Sequence, residues 1–391
     1  MVFKVHSRCN INCTYCYMFN KGDEAFRGMP RSVPWEVVEG VAGMIKDDHA
    51  CNPTNDYSLV FHGGEPLLIG HDYFSRIMAY LTQELASIKV RYTIQTNGIL
   101  IDSDWIHLFQ KFNVVVGVSL DGPPNINGLN RKGFDGSDST PRVLAGIAKL
   151  QESEVVFPGV LCVVQPEADG AETVEYFLNE LGIEWFDLLL PDYTYEDIPD
   201  NWDDLQVRFG EFLISAFDAW FPHSRRGVSC RFFDSLLSKL TGGPSLVDTL
   251  GRDGLGAVII ETNGLLEPHD VLRICPEFAR DTGIQVGAGA LQRFRESASY
   301  RLASNLDGHH CNDCLTCDFF SVCKGGHYIH RYSRKGGFLN KSVHCKALTM
   351  VMNHVYDKLS HDTENIEANK TVLDNRLPAA NSSISVTTAR R

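Results

Sequence analysis

The sequence predicts an α/β protein whose core is a partial (β/α)6 barrel, and three observations carry that expectation. From residue 3 to about residue 195, short apolar runs alternate with stretches of helical period, the pattern of parallel strands joined by right-handed crossovers. Polar and glycine-rich clusters come just after the strand candidates, at the end where such barrels carry their chemistry. Cys9, Cys13 and Cys16 crowd one short loop after the first strand.

The elements follow in order. After the first strand, apolar and β-branched runs predict strands at Tyr57 to Phe61, Lys89 to Gln95, Val114 to Ser119, Gly159 to Val164 and Phe186 to Leu190. Helical periodicity predicts helices at Pro34 to Lys46, Tyr73 to Ala86, Ser103 to Phe112, Thr140 to Glu152 and Glu172 to Leu181. Two more helices, Trp202 to Phe221 and Arg231 to Leu240, read as a bridge to a cysteine-rich region. The expected organisation is a barrel over 1–195, a bridging helical region over 196–260, an auxiliary domain over 261–360, and a disordered tail over 361–391, rich in Asn, Thr, Ser and Ala.

Composition narrows the function classes. A net charge of −13 argues against a polyanionic partner, so nucleic acid is not expected. The start, MVFKVHSRCN, has no apolar run of signal-peptide or membrane-span length, which predicts a cytoplasmic protein without membrane attachment. In a reducing compartment the twelve cysteines read as metal ligands or core thiols rather than disulfides. Cys162, in an apolar run, reads as a core thiol.

Three thiolates on one loop can hold three irons of a four-iron cluster and leave the fourth open to a small chelating molecule; a zinc loop is the competing reading. Beyond the second strand candidate stands His62-Gly63-Gly64-Glu65-Pro66, where paired glycines allow close backbone approach and a carboxylate suits a cationic group. Gln95-Thr96-Asn97-Gly98 and Ser119-Leu120-Asp121-Gly122-Pro123 end the next two strands. Arg131 or Arg142 could grip a carboxylate with both guanidinium arms. Later in the chain, Cys314, Cys317, Cys323 and Cys345 supply four thiolates, enough to close an iron–sulfur cluster with no open iron or to hold a tetrahedral zinc.

The cysteine spacing, with the aromatic Tyr17 behind it, resembles the signature of the radical S-adenosylmethionine (SAM) superfamily. That resemblance implies a [4Fe–4S] cluster on Cys9, Cys13 and Cys16 that chelates SAM. It implies SAM contacts from Tyr15, Gly63, Gly64, Glu65, Gln95, Asn97, Ser119, Asp121, Arg131 or Arg142, and Gln165. The later cysteines resemble a SPASM domain carrying at least one auxiliary [4Fe–4S] cluster on Cys314, Cys317, Cys323 and Cys345. Where that pattern expects a further cysteine shortly after Cys323, this chain has His327, which puts a second auxiliary cluster in doubt, with Cys275 and Cys311 left as partial ligands.

The stretch from Gly325 to Ser333, Asn340 to Cys345, Phe186 to Asp192, and Glu261 to Gly264 with Asp270 resemble maturases that close three-residue cyclophanes in ribosomally made peptides. The resemblance implies a carbon–carbon crosslink between an aromatic ring carbon and a side-chain β-carbon of a precursor peptide. Flavodoxin or ferredoxin would serve as reductant, and Asp187, Asp192, Glu261, Asp270 and His330 are candidate bases or peptide anchors. The alternatives are a sulfatase-type maturase that oxidises Cys or Ser to formylglycine, or another SPASM-type modification such as a thioether or an epimerisation. Little precedes the first strand, so peptide docking is expected on the barrel, the bridging helices or a partner protein.

Overall fold

The computed structural model describes residues 1–251, 257–275, 282–305 and 310–361; the expected disordered tail lies outside them from residue 362 on. Six parallel strands lie in chain order: β1 (Val2–His6), β3 (Tyr57–Gly63), β4 (Val90–Thr96), β5 (Val115–Ser119), β7 (Gly159–Val163) and β8 (Trp185–Leu189). β9 (Ser229–Cys230) adds in parallel beyond β8. On the other side, β10 (Ile259–Ile260) pairs in parallel with β1, and β11 (Leu266–Glu267) pairs antiparallel with β10. The sheet therefore ends in β11 and β9 rather than closing on itself, as expected of a partial barrel.

Helices α1 (Trp35–Cys51), α2 (His71–Glu84), α3 (Ser103–Phe112), α5 (Thr140–Gln151) and α6 (Gly170–Glu175) occupy the crossovers. The short α4 (Pro124–Asn130) precedes α5. Local chemistry sets their ends. Asp102 caps α3 by accepting from the backbone N–H groups of Asp104 and Trp105, and Asn113, in the left-handed region, stops it. α6 runs into a π turn at Tyr176–Glu180 instead of continuing as regular helix, and this wider turn buries Tyr176 and Phe177. Between sheet and helices, Phe61, Phe74, Trp105 and Phe109 form a chain of ring contacts with centroids 5.2–5.6 Å apart.

The C-terminal region is stitched to the barrel mouth. Trp202, at the start of α7 (Trp202–Ser224), donates its indole N–H to the Val343 carbonyl at 2.9 Å and packs against His344. A His344 ring nitrogen lies 2.9 Å from the Pro191 carbonyl just beyond β8. The Tyr195 N–H reaches the Tyr332 carbonyl. These contacts hold residues 327–345 over the ends of the strands.

A buried charge cluster ties β1 to the segment after β11. Lys4 and Arg273 each donate to the same Glu261 oxygen at 2.7 Å, Lys4 also lies 3.7 Å from Asp270, and the Tyr17 hydroxyl donates to Asp270 at 2.6 Å. Burial alone would raise the Glu261 carboxyl, but Lys4 and then Arg273 overcome it and hold the carboxyl below its ordinary range.

Two tests of this packing follow. Gly159, at φ +150°, starts β7 where a Cβ would fall 1.6 Å from the Trp185 carbonyl oxygen, so Gly159→Ala is expected to cost about 3 kcal/mol in urea unfolding. Glu261, with its depressed carboxyl, contributes stability above its ordinary value of 4.5 that is lost as pH falls through the lower folded value. Glu261→Gln should therefore be less stable near pH 7 by about 3 kcal/mol, because Lys4 loses its main partner. Its stability should also fall less than that of the unmodified chain between about pH 6 and about pH 3.5. Parallel pH profiles for the two proteins would remove Glu261 from the acid response.

Candidate active site

The cysteine loop is placed by backbone pairing. β2 (Asn12–Cys13) pairs antiparallel with β6 (Arg131–Lys132), setting Cys13 opposite Arg131, and the Thr14 N–H donates to the Asn130 carbonyl. From β3, the Gly64 and Glu65 N–H groups donate to the carbonyls of His6 and Arg8. A Cβ on Gly63 would sit 2.1 Å from the His6 carbonyl oxygen, and one on Gly64 would meet the Arg8 carbonyl at 2.4 Å and the Phe19 ring at 2.8 Å. The glycine pair thus makes room for the cysteine loop, a role in addition to the ligand approach expected from its sequence.

Cys9, Cys13 and Cys16 line one wall of a cavity of about 420 Å3 at the C-terminal ends of the strands. Burial raises all three thiols, Cys9 to about 12 and Cys16 to about 11, so an ion that binds there must displace protons. Gly63, Gly64, Gln95, Asn97, Ser119 and Arg131 line the same cavity. The Gln95 side-chain amide donates to Ser119 Oγ at 3.0 Å, and Asn97 donates to Asn10 at 2.8 Å. Arg131 is buried, receives support from the Tyr15 hydroxyl at 3.0 Å, and keeps its Nε inside the protein with no hydrogen-bond partner. Three thiols and the Arg131 guanidinium lining one cavity fit a cluster carrying a ligand with a free carboxylate.

Behind this wall stand residues that hold it rather than line it. Glu65, fully buried, accepts from Thr96, Leu67 and Asn97 at 2.6–3.0 Å, and so locks the end of β4 against β3. Asp121 accepts from the Tyr15 hydroxyl and from the Val163 N–H. Gln165 accepts from Asn130 at 2.7 Å. Among the candidates weighed for the carboxylate, Arg131 faces the cavity and Arg142 does not, being exposed on α5.

The same cavity is lined by Asp192, His330, His327, His269 and Asp248. Burial holds the imidazoles of His327 and His330 at about 3, so both are neutral. Of the other candidate bases, Asp187 is fully enclosed and accepts from Arg231 at 2.7 Å, and Glu261 is committed to Lys4 and Arg273. Neither lines the cavity; Glu261 is spent on two buried cations, and Asp187 on Arg231, which itself lines the cavity. Asp270 stands one step behind it, next to His269.

Cys314, Cys317, Cys323 and Cys345 line a second, smaller cavity of about 40 Å3, a four-thiol set suited to a closed cluster. Cys275 and Cys162 lie in apolar cores and line neither cavity. Sequence reasoning passed over Asn10 and Asn130, whose side chains meet Asn97 and Gln165, and over Lys4, an unremarkable strand lysine that turns out to be wholly buried.

A family model described as the Radical SAM superfamily matches residues 3–176. The chain is similar to a cysteine-type anaerobic sulfatase-maturating enzyme of Clostridium perfringens (strain 13 / Type A), at 26% identity over 92% of this chain and 97% of the relative. It is similar at 23% identity to a serine-type anaerobic sulfatase-maturating enzyme of Bacteroides thetaiotaomicron, over 91% of this chain and 88% of the relative. Among solved structures it resembles native anSMEcpe with bound AdoMet and Cp18Cys peptide, with a TM-score of 0.78 and 25% identity over 93% of this chain and 99% of that one.

These findings overturn the expected crosslinking activity: relatives that align along nine tenths of the chain are sulfatase-maturating enzymes, which supports the oxidative alternative over a cyclophane bond. No described helix is long and apolar enough to cross a membrane. Residues 3–176 form a radical SAM domain, and the protein is a SAM-dependent iron–sulfur enzyme of oxidoreductase type.

Proposed function

We propose that this enzyme oxidises a cysteine or serine side chain of a peptide to formylglycine. The observation that carries the reading is one cavity lined both by Cys9, Cys13 and Cys16 and by Asp192 and His330. Its volume of about 420 Å3 is that of a small-molecule site. Relatives along the whole chain, of both cysteine and serine type, support the same chemistry.

In this reading Cys9, Cys13 and Cys16 hold the SAM-binding [4Fe–4S] cluster. When bound and reduced by a flavodoxin or ferredoxin, cluster and SAM supply a radical that takes one hydrogen atom from the substrate β-carbon. Arg131 and Ser119 hold the SAM carboxylate. The strand-end backbone at Gly63 and Gly64, kept in place by Glu65, receives the amino group. Gln95 and Asn97 lie along the remainder of the cofactor, and Tyr15, Asp121 and Gln165 act by positioning Arg131 and the residues around it. Asp192 takes the proton lost as the β-carbon is oxidised; it is 23% exposed at the side chain and lies 3.5 Å from His330 Nε2. Cys314, Cys317, Cys323 and Cys345 would hold an auxiliary cluster, which would supply an acceptor for the second electron. From cysteine, the resulting thioaldehyde adds water and releases hydrogen sulfide; from serine, the aldehyde forms directly.

Three outcomes test this. Anaerobically reconstituted enzyme with SAM, a reductant and a Cp18Cys-type peptide should yield a product about 18 mass units lighter from cysteine, or about 2 lighter from serine, that reacts with a hydrazide. A modified peptide without an aldehyde would reject formylglycine. Replacing Cys9, Cys13 and Cys16 together by Ala should abolish 5′-deoxyadenosine release while leaving the iron at the four-cysteine site in place, and continued release would reject the cluster assignment. Asp192→Asn should still cleave SAM but lose roughly 10²- to 10⁴-fold in aldehyde formation, the usual range for a lost proton acceptor. Full product formation by that variant would move the base elsewhere.

A further inference from the structure

We propose that Asp248, His269 and His327 bind one divalent transition-metal ion, with open coordination positions facing the main cavity. Their ligand atoms all lie within 4.8 Å of one another, and all three residues line that cavity. The donors come from three separate segments. Asp248 opens the short turn Asp248–Leu250, His269 precedes Asp270–Ile274, and His327 precedes Tyr328–Arg331. Convergence of two imidazoles and a carboxylate from distant parts of the chain is an arrangement that only the fold creates.

A second observation points to a ligand. His327 is 8% exposed, and its Nε2 is enclosed without a hydrogen-bond partner although polar groups surround it. Buried imidazole nitrogens are nearly always satisfied, so an orphan aimed into a ring of donors calls for an electrophile. His269 has the accompanying geometry. Its Nε2 lies 3.7 Å from Asp248 Oδ2, and its Nδ1 accepts from the Val271 N–H at 3.4 Å, which fixes the ring with Nε2 toward Asp248.

The donor set also says what does not bind. A second auxiliary iron–sulfur cluster would need thiolates, and among the described residues this corner of the cavity offers none; Cys275, six residues beyond His269, is buried among Leu272, Ile274 and Ile329. Two nitrogens and one carboxylate with free positions suit iron(II), cobalt(II) or zinc instead. Asp192, His327 and His330 form an overlapping group that shares His327. The first group is the assigned site because its three donors converge from three separate segments, whereas His327 and His330 belong to one turn. The remaining positions of the ion open toward the space occupied by substrate, where it can act as a Lewis acid on a substrate heteroatom. Metal binding here does not depend on formylglycine formation, so either reading can fail without the other.

The test uses the full chain with its iron–sulfur clusters reconstituted under anaerobic conditions and then freed of loose metal. Cobalt(II) is the probe, read as the difference spectrum against the cobalt-free protein. The expected result is one cobalt per chain, with visible ligand-field bands, no thiolate-to-cobalt charge-transfer band, and displacement by zinc. His327→Gln and, separately, His269→Gln should each weaken binding by roughly 10- to 100-fold or more, with cluster absorbance and circular dichroism unchanged. His330→Gln should retain binding. Any of four results would overturn the assignment: no stoichiometric cobalt, a thiolate charge-transfer band, affinity unaffected in both His269→Gln and His327→Gln, or loss of binding in His330→Gln with retention in His269→Gln. Should His327→Gln fail to fold, His269→Gln alone decides.

Discussion

Antiparallel pairing of Cys13 with Arg131 is the constraint on which the active site depends. The cysteine loop leaves β1 as irregular chain, and nothing in its own sequence would hold three thiols on one side of a cavity. Two backbone pairs to β6 do so, and they bring the Arg131 guanidinium next to the loop in the same step. Tyr15 then bridges Arg131 to Asp121, and Asp121 accepts from the Val163 N–H of β7. One short ribbon thereby joins the ends of β1, β5 and β7 into a single wall, with the rigidity that a cofactor site needs.

Charge burial is confined to places where it is answered. Lys4 sits inside β1 at no exposure, yet Glu261 and Asp270 meet it, and Arg273 shares Glu261. An unanswered lysine there would be strongly destabilising, so the cluster acts as a lock between the barrel and the chain beyond β11. The same lock fixes Tyr17 from the cysteine loop and Asp270 beside His269. The cysteine loop and the segment carrying His269 are thus coupled through one buried network, and movement of either would disturb its hydrogen bonds.

The histidine-rich lining differs in kind from the thiol lining. His327, His330 and His344 are buried, in ring contact with one another, and held neutral by their surroundings. Neutral imidazoles suit metal ligation and hydrogen bonding better than charge stabilisation.

The sequence by itself determined the strand and helix order, because apolar periodicity reports local burial directly; Ser103–Phe112 and Arg231–Leu240 are the same in both readings. It also marked the three-cysteine loop, the glycine pair and the four later cysteines, since spacing within a loop is a local property. It could not choose between Arg131 and Arg142, because a guanidinium reads alike in sequence whether a ribbon buries it or a helix exposes it. It could not show that Asp187 and Glu261 are spent on Arg231, Lys4 and Arg273, because those cations are 44, 257 and 12 residues away. The meeting of Asp248, His269 and His327 was likewise decided by tertiary structure alone, since no spacing rule relates donors that lie on three separate turns and converge only when the chain after β11 packs over the barrel mouth.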